Sequence, residues 1–438
     1  LFLSRLGLVL ATALMTAIVV TPARAEKVNC NNEFRSGKLY FDQKIFEKAL
    51  AKFAVAVEHC PDKGEFHARY ALALCEMGQK YVGQLETAEE AERDTLLSKG
   101  LGFFEKAGRE LDAALQTKAG KKKKLKKFVK QNRGHYWVHY YNEGLELFEE
   151  GDYKQADLNF RIARLINPED IRSYGQEAIT LIRLDDIPGA KALVDSGLVR
   201  DPENERLLGI QTSITRDTAR NLANSADSDN DPAKVVEALA LYDKLVEATP
   251  DDPNLIFERG LAALTGAGVV PKEDQAALYE RAIADFRAAA DLVPADGENR
   301  DFHVNCLFNI VQAYSLSGNV EKGLTAGREY TCIAPMDPAG WQFMAGFLID
   351  NDEQTGAVSA LMMSKSLAGN EVPVAVATDS ATKDAKAALA SNGKPDNVFT
   401  YQEASSGNQI QTWIWSKAHK AVSFILGDES GQVTWCDQ

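Results

Sequence analysis

The sequence lacks a G-x-S-x-G elbow, a P-loop and a G-x-G-x-x-G turn after a strand pattern, so nucleophilic acyl transfer and nucleotide chemistry have no local support. Its carboxylates form no recognisable catalytic pair. None of the six cysteines has C-x-x-C spacing, the arrangement that redox and zinc sites use. No apolar run beyond residue 20 approaches the roughly 20 residues a membrane-spanning helix needs. Positive charge is also short: 49 lysines and arginines face 63 acids, a formal net charge of -14. That balance favours solubility and disfavours nonspecific nucleic-acid binding.

What is present begins with a leader. Arg5 precedes an apolar run from Leu6 to Val20, followed by Pro22 and the small-residue site Ala23, Arg24, Ala25. This pattern reads as a secretory signal peptide cut after Ala25, with a retained anchor as the alternative. Cleavage removes Arg5 and Arg24 and takes the formal charge from -14 to -16. Lys27, Val28 and Asn29 before Cys30 do not form a lipoprotein signal. The expected location is therefore periplasmic or secreted, without stable membrane insertion after cleavage.

A spaced pattern then recurs. Gly37, Tyr40, Ala49, Phe53, Ala56 and Pro61 return as Gly144, Ala156, Phe160, Ala163 and Pro168. The spacing is that of a helix pair about 34 residues long, with small residues at the crossing, an aromatic knob beside them and a closing proline. In this respect the sequence resembles the tetratricopeptide repeat (TPR) family. Ala190 and Pro202 close a third match with Val194 at the knob position; Ala238, Tyr242 and Pro250 mark another second helix, and Ala282, Phe286, Ala289 and Pro294 the next. Polar segments at 225–232 and 266–274 read as loops inserted in the last two units. A weaker unit, 304–337, has Gly323 and Gly327 where alanine and an aromatic belong, and a last one spans roughly 338–367 with Trp341, Ala345, Ala357 and Leu361 at signature sites. Residues 64–131 carry apolar helical spacing without a clear register. An unrelated helical bundle or a different helical repeat is the alternative.

The resemblance implies a scaffold that holds a protein or peptide in a groove lined by the first helix of each unit. Phe34, Lys38, Tyr141, Phe257, Phe308, Asn309 and Gln312 fall at such positions and are the candidate partner contacts, with packing between helices as the other reading of the aromatics. The repeat geometry also places Cys30 beside Cys60 and Cys306 in nearly the same relation to Cys332, so two disulfides are expected, the alternative being buried free thiols. Cys75 and Cys436 gain no partner.

Past Asn370 the periodicity changes to one short helix, 381–390, then strand-forming runs at 398–401, 410–415, 422–426 and 433–435. The order Thr382, Lys383, Asp384, a helix, Gly393, Lys394, Pro395, then Trp413, Trp415 and Phe424 resembles the BamE/SmpA-like outer-membrane lipoprotein domain. Asn392 interrupts the Leu-Gly-Lys-Pro run of that family, and no lipid-bearing cysteine precedes the module. A sheet that caps the last helix is the alternative, although two tryptophans in one strand exceed what a cap needs and make Trp413, Trp415 and Phe424 a place for a ligand.

Three stretches invite a chemical reading. Eight lysines lie between Lys118 and Lys130, read as an insertion or helix face before a helical start near Gly134, with nucleic acid, an acidic polymer or membrane headgroups as possible contacts. His135 and His139 stand one turn apart without a third metal ligand. Asp227, Asp229 and Asp231 imitate an EF-hand opening until Pro232 replaces the turn glycine. The expected fold is thus mainly α: a TPR-type α-α superhelix (solenoid) over 26–369 behind a signal peptide at 1–25, with a small α+β module at 370–438. The expected function is a non-enzymatic, exported protein-interaction scaffold of envelope assembly or maintenance, without cofactor, metal or nucleic acid. A solenoid presenting a ligand-binding or catalytic C-terminal module, or a secreted polyanion-binding protein, is the alternative.

Overall fold

A computed structural model describes residues 28–293, 295, 297–368, 383–395, 397–402, 409–415, 420–425 and 432–434. The leader with its cleavage site, the expected boundary near Asn370 and Cys436 lie outside the described residues. The chain divides into two compact units, Leu1–Leu207 and Leu208–Gln438.

Unit 1 contains α1 (Cys30–Asp42), α2 (Phe46–His59), α3 (Gly64–Gly83), α4 (Glu90–Gln116), a 3-10 turn (Ala119–Lys121), α5 (Lys123–Glu150), α6 (Tyr153–Ile166), α7 (Ile171–Arg183) and α8 (Ile187–Leu198). α9 (Glu205–Asp229) carries the chain onward, so the polar stretch 225–232 is mostly helix rather than the expected inserted loop. Unit 2 continues with α10 (Pro232–Ala248), α11 (Pro253–Gly266), α12 (Lys272–Asp291), α13 (Arg300–Ser317), α14 (Val320–Ile333), α15 (Pro338–Asp350) and α16 (Gln354–Ala368). The helices form TPR-type antiparallel pairs; within unit 1 α1 to α8 pack in sequence order, and within unit 2 α10 to α16 do.

One contact recurs at the crossing. A Cβ added at Gly37 would meet the Phe53 ring at 2.6 Å, at Gly144 the Phe160 ring at 2.7 Å, at Gly78 the Phe104 ring at 2.8 Å and at Gly260 the Phe286 ring at 3.0 Å. All four phenylalanines are fully buried. The glycine precedes its phenylalanine by sixteen residues in two pairs and by twenty-six in α3–α4 and α11–α12. Ten extra residues between the same two contact points hid the register of 64–131 from periodicity. In α14 the departure from the pattern is filled from outside: Phe347 and Met344 of α15 occupy the space beside Gly323 and Gly327.

The turn inside a pair has its own rule. Lys44, Gly151, Asp185, Asn230, Gly318 and Asp352 all adopt positive φ, between 50° and 85°, at the end of a first helix. The left-handed residue reverses the chain within a few residues. Asp152, Asp186 and Asp231 then cap the second helices, and Asp252 and Asp337 cap the first helices α11 and α15, each accepting a backbone N–H.

Beyond α16 come α17 (Lys383–Asn392) and a four-stranded antiparallel meander, β1 (Asn397–Gln402), β2 (Gln409–Trp415), β3 (Lys420–Ile425) and β4 (Gln432–Thr434). Alternation along β2 splits its burial. Ile414 joins the helical core cluster that includes Ala357, Ala360 and Met363 of α16. Trp413 and Trp415 pack on the opposite face with Val398, Val422, Phe424 and Leu389. Trp413, Trp415 and Phe424 are at most 3% exposed, so the expected ligand surface is the module's own core. The Ile414 face covers apolar helix surface, as a cap does.

Cys30 and Cys60 form a disulfide across the α1–α2 hairpin, with Cα atoms 6.2 Å apart. The expected Cys306–Cys332 bond does not form: Cys306 is a buried free thiol whose pKa burial pushes up to about 12, while Cys332 is disulfide-bonded outside the described residues. Cys30 is the first residue of α1, whereas Cys306 lies nearly two turns inside α13 and is fully buried.

Mass mapping of an unreduced digest should therefore find Cys30–Cys60 and no Cys306–Cys332 linkage, with Cys75 and Cys306 alkylated only after denaturation. The Phe160→Ala variant should lose about 3–5 kcal/mol of unfolding free energy in denaturant titration, because a fully buried ring leaves a cavity against Gly144.

Candidate peptide-binding face

The expected groove residues do occupy first helices, but their rings are spent on packing. Phe34 is 8% exposed and stacks on Phe66 at 4.2 Å between ring centres. Tyr141 is 9% exposed, stacked on Trp137 at 4.7 Å and edge-on to Phe160 at 5.7 Å. Phe257 sits half-buried between Phe286 and Phe302, and Phe308 between Tyr330 and Phe343. Lys38, Asn309 and Gln312 are half-exposed, and Asn309 donates to the carbonyl of Asn305 in its own helix. These aromatics hold neighbouring helices together because a first helix must bury a ring wherever two pairs meet.

The polar groups that stand over those rings were not in the expected set. Arg172, at the start of α7, lies 4.2 Å above the Trp137 ring and 5.8 Å from that of Tyr141. Asp170 accepts two hydrogen bonds from its guanidinium, at 2.9 and 2.7 Å, and also caps α7. Trp137 donates its indole N–H to Ser173 Oγ at 2.9 Å, which fixes the ring beneath. Arg206, in the first turn of α9, donates to Gln176 Oε1 of α7 at 2.7 Å. Burial raises the Tyr141 pKa, opposed by the cations of Arg206 and Arg172. Successive first helices thus present Tyr141, Arg172, Gln176 and Arg206 as one row, with both arginines exposed. Such a row suits a carboxylate or phosphate on an extended chain.

On the second-helix side, a cavity of about 540 Å³ opens between α4 and α6. Leu85, Leu97 and Leu158 form its apolar lining, with Arg93, Arg161 and Asp157 among its charged groups. Burial pushes the Asp157 carboxyl up to about 6; Glu177 and Asp186 add to the rise, and Arg161 and Arg164 oppose it.

Elsewhere the sequence candidates resolve into ordinary contacts. His135 and His139 lie against the rings of Tyr136 and Tyr140. Asp229 pairs with Lys234, and Asp231 caps α10. Among the described residues no group of three His, Cys, Asp or Glu side chains is placed to hold a metal ion. The lysine block is not an insertion ahead of a helix at Gly134: it comprises the 3-10 turn and the opening turns of α5, which starts at Lys123.

No family profile and no curated protein matches this chain. Among solved structures, MamA (AMB-1) is 19% identical over 43% of this chain and 87% of its own, with a TM-score of 0.29. The TPR domain of P58(IPK) is 13% identical over 77% and 93%, TM-score 0.26, and YrrB, described as a TPR protein with an unusual peptide-binding site, is 16% identical over 48% and 93%, TM-score 0.32. This is a likeness of fold. At such values it carries nothing about partner or activity.

Asp157 gives a pH test. Its folded pKa lies above the unfolded value of 3.8, so the folded state holds the extra proton between about 4 and 6 and stability falls as pH rises through that window. Asp157→Asn should be more stable than the parent at pH 8 and lose that advantage by about pH 4, as read from urea midpoints.

Proposed function

We propose that this protein is a non-catalytic scaffold that holds another polypeptide along the first helices of its repeats. It is exported by a leader that ends at Ala25 and acts in assembly or maintenance of a Gram-negative envelope. The observation that carries the binding role is the row of Tyr141, Arg172, Gln176 and Arg206 across three consecutive first helices, exposed arginines over buried rings. Stacking holds the Arg172 guanidinium in place before a partner arrives, so less side-chain entropy is lost on binding. A partner with acidic side chains spaced along an extended segment satisfies both arginines at once. Export is supported by the leader pattern and by the Cys30–Cys60 disulfide, which suits an oxidising compartment.

Arg172→Ala combined with Arg206→Ala tests the reading. Proteins captured from envelope extract by the parent should be lost by the double variant, at an unchanged melting temperature. Each lost charge-assisted contact is worth about 1.5–3 kcal/mol. Equal capture by parent and variant would remove the row from the binding site.

A further inference from the structure

The eight lysines between Lys118 and Lys130 are all exposed, and none makes a side-chain hydrogen bond, ion pair or ring contact among the described residues. They lie within an acid-free stretch that runs from Ala113 to Asn142 in a chain of net charge -14. Their placement opposes the helix they start. α5 has no acid in its first turn and no base in its last, and its C-terminal part carries Glu143, Glu146, Glu149 and Glu150. The positive end of the helix dipole therefore faces lysines and the negative end faces glutamates, each repelled rather than stabilised. Charge held at a cost to its own helix, without an internal counter-charge, is charge presented outward.

The block is firmly mounted. Leu125 packs beside Gly64, the Phe128 ring lies under the Arg69 guanidinium at 4.7 Å, and Val129 is 1% exposed. Every apolar side chain between the lysines is thus turned toward the fold, leaving no aromatic to stack on a base and no anchor to fill a pocket. What remains is an exposed cluster of point charges without the bidentate geometry of arginine. That fits a plane of closely spaced negative charge better than a folded acidic partner, which needs complementary shape.

We infer that this lysine cluster docks the protein, peripherally and by electrostatics alone, on an anionic phospholipid surface. The inference is independent of the peptide-binding row, which lies on other residues.

The test uses the full mature chain and flotation with vesicles of phosphatidylcholine alone or with about 30% phosphatidylglycerol. Binding is expected only to the anionic vesicles and only at low salt, vanishing by about 0.5 M as screening shortens to a few ångströms. Replacing Lys121, Lys123, Lys124 and Lys127 together by glutamine should weaken partition on the order of 1000-fold, with a melting temperature equal to or above the parent's. Arginine at the same four positions should retain binding. The inference is overturned if the parent ignores anionic vesicles, if the glutamine variant binds as well as the parent, or if soluble polyglutamate is bound while vesicles are not. A fall in melting temperature in the glutamine variant, with arginine also failing to bind, would assign the lysines to the fold instead.

Discussion

The approach of two helices over a glycine is the constraint on which the rest of the repeat depends. Where Gly37, Gly78, Gly144 and Gly260 omit a side chain, a phenylalanine from the second helix fills the space, and both helix axes are fixed by that single contact. Alanines fully buried on the second helix, such as Ala49, Ala56, Ala156 and Ala163, keep the crossing close along its length. Once each pair is set, the first helices fall side by side, and their remaining rings must close the gaps between pairs. That is why Phe34, Tyr141, Phe257 and Phe308 are structural aromatics, and why the exposed chemistry of this face passes to the residues standing above them.

Charge reinforces the same geometry. Arg164 meets the buried Glu177 through two hydrogen bonds at 2.5 and 2.9 Å between α6 and α7. In unit 2, Arg216 meets Glu258 between α9 and α11, Arg259 meets Asp285 between α11 and α12, and Arg287 meets Glu329 between α12 and α14, each through two hydrogen bonds. A partly buried carboxylate is costly alone, so removing one member leaves a stranded charge, whereas the intact fork also fixes rotation of one helix about the next. The arginines of the α7–α9 row differ from these: Arg172 pairs with Asp170 of its own helix cap and stacks on Trp137, and Arg206 bonds an amide, so both stay exposed instead of locking two helices through a buried carboxylate.

The two ends of this design show how a repeat stops. At one end a disulfide closes the α1–α2 hairpin, which restricts the unfolded chain. At the other, Ile414 of the sheet enters the core cluster beside α16 while the tryptophans on either side of it build a second core facing away. One strand thereby serves as cap and as the centre of a small domain, because its side chains alternate.

The small-residue, knob and proline pattern determined the helix pairs by itself, since spacing alone says which residues meet when two helices of fixed pitch cross. A separate pattern, the strand-forming runs past residue 397, located the strands of the C-terminal module. Tertiary structure decided what periodicity does not encode. Ten added residues moved Phe104 out of phase with Gly78 without disturbing their contact, and positive φ at Lys44, Asp185, Asn230 and Asp352 left no glycine to mark those turns. Cys306 has the spacing of a bridge to Cys332 yet stays a thiol, because a bond needs two sulfurs facing each other and sequence distance fixes only how far apart the backbones lie. The candidate site follows the same division: the helix phase placed Tyr141 on a first helix, but whether a ring or the arginine above it meets solvent depends on the neighbouring pair, whose packing only the folded chain supplies.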